Sequence, residues 1–310
     1  MNEFELIARL TSGLPSNQSV IIAAGDDCAV LRSPDQGNLL LFKTDAIVEG
    51  VHFTKEAKHE QVGHKALARC LSDIAAMAGT PLHALVTIAL PRQFDLGFVE
   101  GIYAGFNRLA ERYGVALVGG ETVTNPERIL ISVAVLGQVT KDRCVLRSGA
   151  KSDDALFVTG KLGGSLAGRH LDFEPRLTEA QWLVEHFTVH AMIDLSDGLA
   201  GDLRHLLNAS HVGAELLASA IPISRPARLL AKADSSAKTP LLAALTDGED
   251  YELLFTVGSA DAVRLLDSWK QRFFTTPLTC IGKITATPTV LLRTKDGPRP
   301  LPAHGYVHFA

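Results

Sequence analysis

Several things are scarce in this 310-residue chain, and each scarcity excludes a class of function. Its four cysteines, Cys28, Cys70, Cys144 and Cys280, stand far apart and form no C-x-x-C pair, which argues against a zinc site or a thioredoxin-like motif and suits reduced core thiols. Charge is balanced: the formal net charge is -4, acidic and basic residues alternate, and no tail or polybasic patch is present. That leaves no general attraction for nucleic acid or for an anionic membrane, so an anionic ligand must be neutralised locally. No segment reaches the ~18 uninterrupted apolar residues of a membrane span, and the start Met1-Asn2-Glu3-Phe4-Glu5 has no basic n-region, so a cytoplasmic protein is expected. There is no G-x-x-x-x-G-K-[ST] loop, no dinucleotide fingerprint and no H-R-D or D-F-G set, which excludes the two commonest kinase architectures.

What is present suits a globular enzyme. Hydrophobic residues make up 46% and charged residues 21%. The length exceeds that at which one core keeps growing and predicts two α/β domains of ~150 residues each. We expect them at 1–145 and 146–310, with a long strand over Ile129 to Val139 closing the first and Arg147-Ser148-Gly149-Ala150-Lys151 forming a polar connection. Asn2 and Glu5, at capping-box spacing, predict a short opening helix. The pattern Leu67, Leu71, Ile74, Ala78 predicts a largely buried helix over Glu60 to Met77, and Leu96 to Arg112 reads as another.

Acids recur at the ends of apolar segments. The run Asn38 to Phe42 reads as a strand that stops at Thr44-Asp45, putting a hydroxyl and a carboxylate at its C-terminal edge, where open α/β sheets do chemistry. Asp26-Asp27 follows Gly25, either as an ordinary turn or as a functional bend. Asp73 lies in the apolar helix and must be paired, either with Arg69 one turn back or with a cation. Val115 to Val118 reads as a strand ending in Gly119-Gly120-Glu121, which would set Glu121 at the same edge as Asp45 and open the backbone to a phosphate. Leu162-Gly163-Gly164-Ser165 is expected to open a helix. In Asp194-Leu195-Ser196-Asp197-Gly198, helix capping explains one acid but not Asp194, which still belongs to the strand pattern. Arg147 is either a solvated linker residue or a phosphate contact, and His52 either structural or a ligand contact. Hard carboxylates without a His or Cys cluster point to Mg2+ bound with a nucleotide triphosphate.

Gly25-Asp26-Asp27, Thr44-Asp45 through Glu49-Gly50-Val51-His52-Phe53, Leu71-Ser72-Asp73 through Ala75-Ala76-Met77, Gly119-Gly120, Arg147 to Lys151, Met192 to Leu199 and Gly248-Glu249-Asp250-Tyr251-Glu252-Leu253 occur in one order over nearly the whole chain, closing with Gly305-Tyr306 and His308-Phe309. Together they resemble the thiamine-monophosphate kinase family. The resemblance implies a two-domain, aminoimidazole ribonucleotide synthetase-like fold of α/β class with mixed sheets, and a homodimer formed through the N-terminal domain. It implies ATP-dependent phosphorylation of thiamine phosphate to thiamine diphosphate with several Mg2+ ions, and neither nucleic acid nor membrane as a partner. Asp27, Lys43 (through its main chain), Thr44, Asp45, Asp73, Glu121, Asp194 and Asp197 match the family's metal positions, with Asp45, Asp73 and Asp197 central to catalysis. Gly120, Arg147 and Ser196 match ATP contacts, and His52, Glu249 and Tyr306 match substrate contacts. Relatives usually carry Asp at the position of Glu121 and a small hydroxyl residue at that of Lys43. The competing readings are another ATP-dependent enzyme of the same superfamily, or a nucleotide or thiamine-phosphate binding module without turnover. Selenophosphate synthetases and hydrogenase-maturation relatives are disfavoured because Cys28 is in the wrong context and the chain ends without a C-terminal cysteine.

Overall fold

A computed structural model describes residues 3–301. The chain folds as two compact units: the first comprises Ser19–Cys144 and Gly168–Leu177, the second Met1–Gln18, Val145–Ala167 and Thr178–Ala310. One boundary lies at 144/145, but a single cut there describes neither Met1–Gln18, which falls in the second unit, nor the crossing of residues 168–177. That segment joins the first unit because His64 Nε2 meets the Phe173 carbonyl at 2.7 Å while Arg112 and Tyr113 both bind the Glu174 carboxylate. The chain opens with helix α1, Glu3–Thr11. Asn2, the expected cap, lies outside the described residues, as do Gly305, Tyr306, His308 and Phe309.

The first unit contains β1 (Val20–Ile22), β2 (Ala29–Arg32), β3 (Asn38–Val48), α2 (His59–Ala76), β4 (Thr80–Leu90), α3 (Leu96–Tyr113), β5 (Ala116–Thr124) and β6 (Leu130–Thr140). They form a mixed sheet ordered β1-β2-β3-β6-β4-β5, in which β4 and β5 are parallel and the other neighbours antiparallel. Alternation along β6 sends Ile131, Val133 and Val135 into the core. Leu41 and Ile47 of β3 and Val86 and Ile88 of β4 are buried with them, and helix α2 packs on β3, β4 and β6. The opposite sheet face leaves Phe42, Leu85 and Val123 exposed. Helices α2 and α3 approach closely because both contribute glycines: a Cβ on Gly63 would fall 1.9 Å from the Ile102 carbonyl oxygen, and one on Gly105 2.0 Å from that of Glu60.

The second unit contains β7 (Ala155–Thr159), α4 (Leu177–His186), β8 (Val189–Asp194), α5 (Leu199–Ser210), β9 (Gly213–Leu217), α6 (Arg225–Ala233), α7 (Pro240–Thr246), β10 (Leu253–Val257), α8 (Ala262–Arg272), β11 (Leu278–Thr285), β12 (Val290–Thr294) and β13 (Gly297–Pro300). Its sheet order is β13-β12-β9-β11-β7-β10-β8, with β9 and β12 parallel. The central strands β7 and β10 are buried throughout, so both faces are covered. Leu156, Val158 and Leu254 pack with Leu199, Leu203 and Leu206 of α5, while Phe157, Phe255, Trp269, Phe273 and Trp182 form an aromatic cluster. The helix expected from Leu162 is reduced to a single 3-10 turn, Ser165–Ala167. Gly163 and Gly164 take positive φ angles of 82° and 71°, and their N–H groups donate to Asp250 and Asp247, fixing a loop instead. No helix among the described residues is long and apolar enough to cross a membrane.

Candidate active site

Strand β3 does not stop at Thr44-Asp45 as the apolar run implies; it pairs with β6 without a break from Asn38↔Thr140 to Val48↔Leu130. The period-2 alternation therefore separates the two side chains. Lys43 and Asp45 point to α2, whereas Thr44 is exposed on the opposite face, where its hydroxyl donates to the Val133 carbonyl at 3.1 Å and lies 3.4 Å from Ser132 Oγ. The same logic relocates Gly119, Gly120 and Glu121, which are internal to β5. Glu121 pairs in register with Thr87, and Thr87 with Ser132, so it shares the face of Thr44 and not that of Asp45. Gly120 is required for the approach of β5 to β4, since a Cβ there would fall 1.8 Å from the Val86 carbonyl oxygen.

On the α2 side the charges interlock. Arg69 grips Asp45 with two bonds, Nε to Oδ2 at 2.9 Å and an Nη2 contact to Oδ1 at 3.1 Å. Arg69 thus reaches from helix to strand. Asp73 accepts from Lys43 Nζ at 2.7 Å. Burial pushes the Asp45 carboxyl up, but Arg69 and Lys43 beside it, with hydrogen bonds from Arg69 and the Ala46 N–H, outweigh that and hold it below its ordinary range. For Lys43, burial works against the charge, and Asp73 and then Asp45 overcome it, so its ammonium is held above the ordinary range. Asp27 is buried as well, with a carboxylate oxygen within 4.8 Å of one on Asp73.

After β3 the chain turns at Gly50, φ 79°, and the turn is built to present His52. The Val48 N–H donates to His52 Nδ1 at 3.1 Å, which leaves the ring hydrogen of the neutral tautomer on Nε2. Lys65, with no exposed surface, donates to the His52 carbonyl at 2.6 Å and lies 2.8 Å from His170 Nδ1.

The second unit carries its acids differently. Asp194 ends β8, buried, and Leu195 to Gly198 lead into α5. Asp202, one turn into α5, turns back so that its Oδ2 accepts from the N–H groups of both Asp197 and Gly198 at 3.0 Å. Asp197, Asp202 and His205 bring ligand atoms within 4.8 Å of one another. Burial, then Asp197 and Asp194, push the Asp202 carboxyl well up, against a downward pull from the Asp197 N–H bond and from the charge of Arg147. The segment from Gly248 is laced to the same loop: Glu249 N donates to the Ser196 carbonyl at 2.6 Å, Tyr251 N to that of Leu195 at 2.7 Å, and Leu195 N to that of Glu252 at 2.8 Å. Glu249 and Tyr251 take left-handed φ angles of 64° and 48°. Asp250 and Glu252, inside the acid-rich motif, are structural: the first accepts from Gly163 N, the second from Thr159 Oγ1.

Sequence reasoning missed Lys65, Asp202 and His205. A lysine directly before Ala66-Leu67-Ala68 carried the same signal as Asp73, and Asp202 and His205 are one helical turn apart beside a loop already singled out.

The donor set fits a hard divalent cation. Each unit offers several carboxylates of the kind that, with phosphate oxygens and water, surround Mg2+. Cys28 and Cys70, beside Asp73, are pushed well above the usual thiol range by burial and by the neighbouring carboxylates, so they stay protonated and present no soft thiolate.

Two α/β units, each with a mixed sheet and an acidic strand-to-helix region, define the class. Family models for AIR synthase related protein match residues 25–139 (N-terminal domain) and 149–293 (C-terminal domain). The thiamine-monophosphate kinase of Rhodopirellula baltica is 41% identical over 298 residues, covering 93% of this chain and 92% of its own, and that of Bacillus subtilis is 34% identical over the full length of both. A solved structure described as "AaThiL complexed with AMPPCP and TMP" superposes with a TM-score of 0.83 at 32% identity, covering 99% of this chain and 97% of its own. A HypE-HypF complex, at 18% identity and a TM-score of 0.78, shares the fold. The chain belongs to the thiamine-monophosphate kinase family.

Proposed function

We propose that this chain transfers the terminal phosphoryl group of ATP to the phosphate of thiamine phosphate, giving thiamine diphosphate and ADP. The observation that carries this reading is the near full-length likeness to a protein bound to AMPPCP and TMP. The acceptor is a phosphate-monoester oxygen, largely ionised at neutral pH because its second pKa is ~6, so no general base is needed. What the protein must do is position two polyanions and offset their repulsion.

Magnesium, when bound, neutralises the phosphates and stabilises charge on the group in transfer. On the first unit Asp27, Asp45 and Asp73 would hold ions by carboxylate, with Lys43 and Thr44 acting through their main chain and Glu121 from the other face of the sheet; on the second, Asp194 and Asp197 would do so. A main-chain role suits Thr44, whose hydroxyl already donates to Val133. Asp45, Asp73 and Asp197 are the acids on which turnover depends most. Gly120, Arg147 and Ser196 contact ATP, Arg147 by forked hydrogen bonds to phosphate oxygens. The Nε2–H of His52 suits a donor to the thiamine phosphate group, Glu249 a counter-charge for the thiazolium and Tyr306 an aromatic partner for it.

The exposed sheet face with Phe42, Leu85 and Val123 suits a second copy of the chain, giving a homodimer through the N-terminal domain. Leu85→Asp would then give monomers in light scattering, and an unchanged mass would remove this face from the dimer. Four free thiols support a cytoplasmic setting.

The direct test incubates the purified protein with ATP, Mg2+ and thiamine phosphate and follows thiamine diphosphate. Product formation is expected. Binding of both ligands with no product would favour the second reading, a binding module, which the cationic Lys43 among the metal acids gives some reason to test.

A further inference from the structure

The first unit's acidic group has an unusual charge composition. Three carboxylates, Asp27, Asp45 and Asp73, meet two cations from the same chain, Lys43 at 2.7 Å from Asp73 and Arg69 at 2.9 Å from Asp45, leaving a net charge of about one negative. Arg69 lies on α2 and could be an ordinary partner for a strand acid. Lys43 is different: it stands in β3 in register with Val135, whose own neighbour is Ala84, so on that side the register offers its ammonium no polar side chain. Its ammonium reaches Asp73 on α2 from the same strand face as Asp45. An ammonium and a magnesium ion compete for the same carboxylate oxygens, and two cations at adjoining positions repel.

We propose that the Lys43 ammonium takes the place of one divalent cation in this group, so that the chain binds one ion fewer than it would with a small neutral residue at position 43. The inference rests on the reading of these acids as a metal–nucleotide site. A neutral residue would leave the group about two negative and restore demand for a further ion.

Mn2+ serves as the probe, counted per chain by the electron paramagnetic resonance of free Mn2+ in titrations of the full chain with AMPPCP. Lys43→Ser is expected to bind one more Mn2+ than the unsubstituted protein, and Lys43→Arg the same number. Melting with and without Mn2+ gives a second readout: Lys43→Ser should lose Tm without the metal and gain more than the unsubstituted protein when it is added. Equal Mn2+ counts for Lys43→Ser and the unsubstituted chain would overturn the proposal. So would a Lys43→Ser protein that Mn2+ does not help to fold, because a metal would then not be replacing the ammonium. If the unsubstituted protein binds no Mn2+ with AMPPCP, the underlying site reading fails instead.

Discussion

The two units hold their acids by different means. In the first, Asp45 and Asp73 lie inside regular elements, β3 and α2, and are fixed by ion pairs with Arg69 and Lys43. In the second, Ser196 and Asp197 lie in a loop fixed by its backbone: Asp202 accepts from Asp197 and Gly198, and Glu249 and Tyr251 donate to Ser196 and Leu195. A charge-held group couples function to stability, because removing one acid leaves a buried cation uncompensated. A loop held through its main-chain N–H groups separates them at Asp197, whose side chain can be altered while its own N–H and that of Gly198 still donate to Asp202.

The largest effect expected tests this contrast directly. Asp45→Asn and Asp197→Asn should each lower turnover by ~10^2–10^3-fold, as for loss of one electrostatic contact to a reacting phosphate. Only Asp45→Asn should also melt early, by about 1–3 kcal/mol in denaturant titration, because Arg69 loses a bidentate partner while remaining partly screened by solvent. Asp197→Asn should stay within about 0.5 kcal/mol of the unsubstituted protein. Equal destabilisation of both would break the distinction, and retained activity in Asp45→Asn would remove Asp45 from the metal role.

A smaller effect, opposite in sign, is expected in the loop that faces Ser196. Glu249 is held at φ 64°, a conformation costing a side-chain residue about 1–2 kcal/mol, and glycine would relieve that while losing about 0.5–1 kcal/mol to its freer unfolded chain. Glu249→Gly should therefore gain roughly 0.5–1 kcal/mol in unfolding experiments while raising KM for thiamine phosphate. A variant that is both less stable and unchanged in KM would show that the strain serves packing instead.

Much of this was legible in the sequence, for identifiable reasons. The buried helix α2 follows from an apolar period that its burial reproduces, and β8 running into Asp194 follows from an apolar run with one acid at its end. The strand ends at Thr44 and Val118 were misplaced for one reason: polar and glycine residues look like loop signals, yet inside a sheet with one open face they are the outward half of an alternation. Thr44 and Glu121 thus fell on the face opposite Asp45, which only the register with β6 and β4 reveals. For Asp73, helix spacing names only Arg69 as a protein partner, and the cation that binds it from β3, 30 residues away, is invisible to any local pattern. Lys65 shows the same rule applied unevenly, as a buried charge of either sign in an apolar helix demands a partner.

The smallest effects expected sharpen the contrast through the cysteines. Cys28 and Cys70 are buried near the first unit's acids, and the carboxylates add to burial in pushing their thiols up. Cys144, also in the first unit, is pushed up to about 12 by burial and then by Asp26, whereas Cys280 of the second unit is raised by burial with a hydrogen bond involving Gly282 working against it. Because the thiolate is the reactive form, alkylation at pH 8 should modify Cys280 first, with Cys28 and Cys70 last, as peptide mass spectrometry would resolve. The sign for stability follows from linkage. Below pH 9 the Cys144 thiol is protonated in both folded and unfolded chains and contributes nothing; between pH 9 and about 12 the unfolded chain ionises while the folded one does not, and stability falls. Cys144→Ser removes that term, so its melting temperature should decline less steeply over this range, and parallel curves would mean that the folded thiol ionises as readily as the unfolded one.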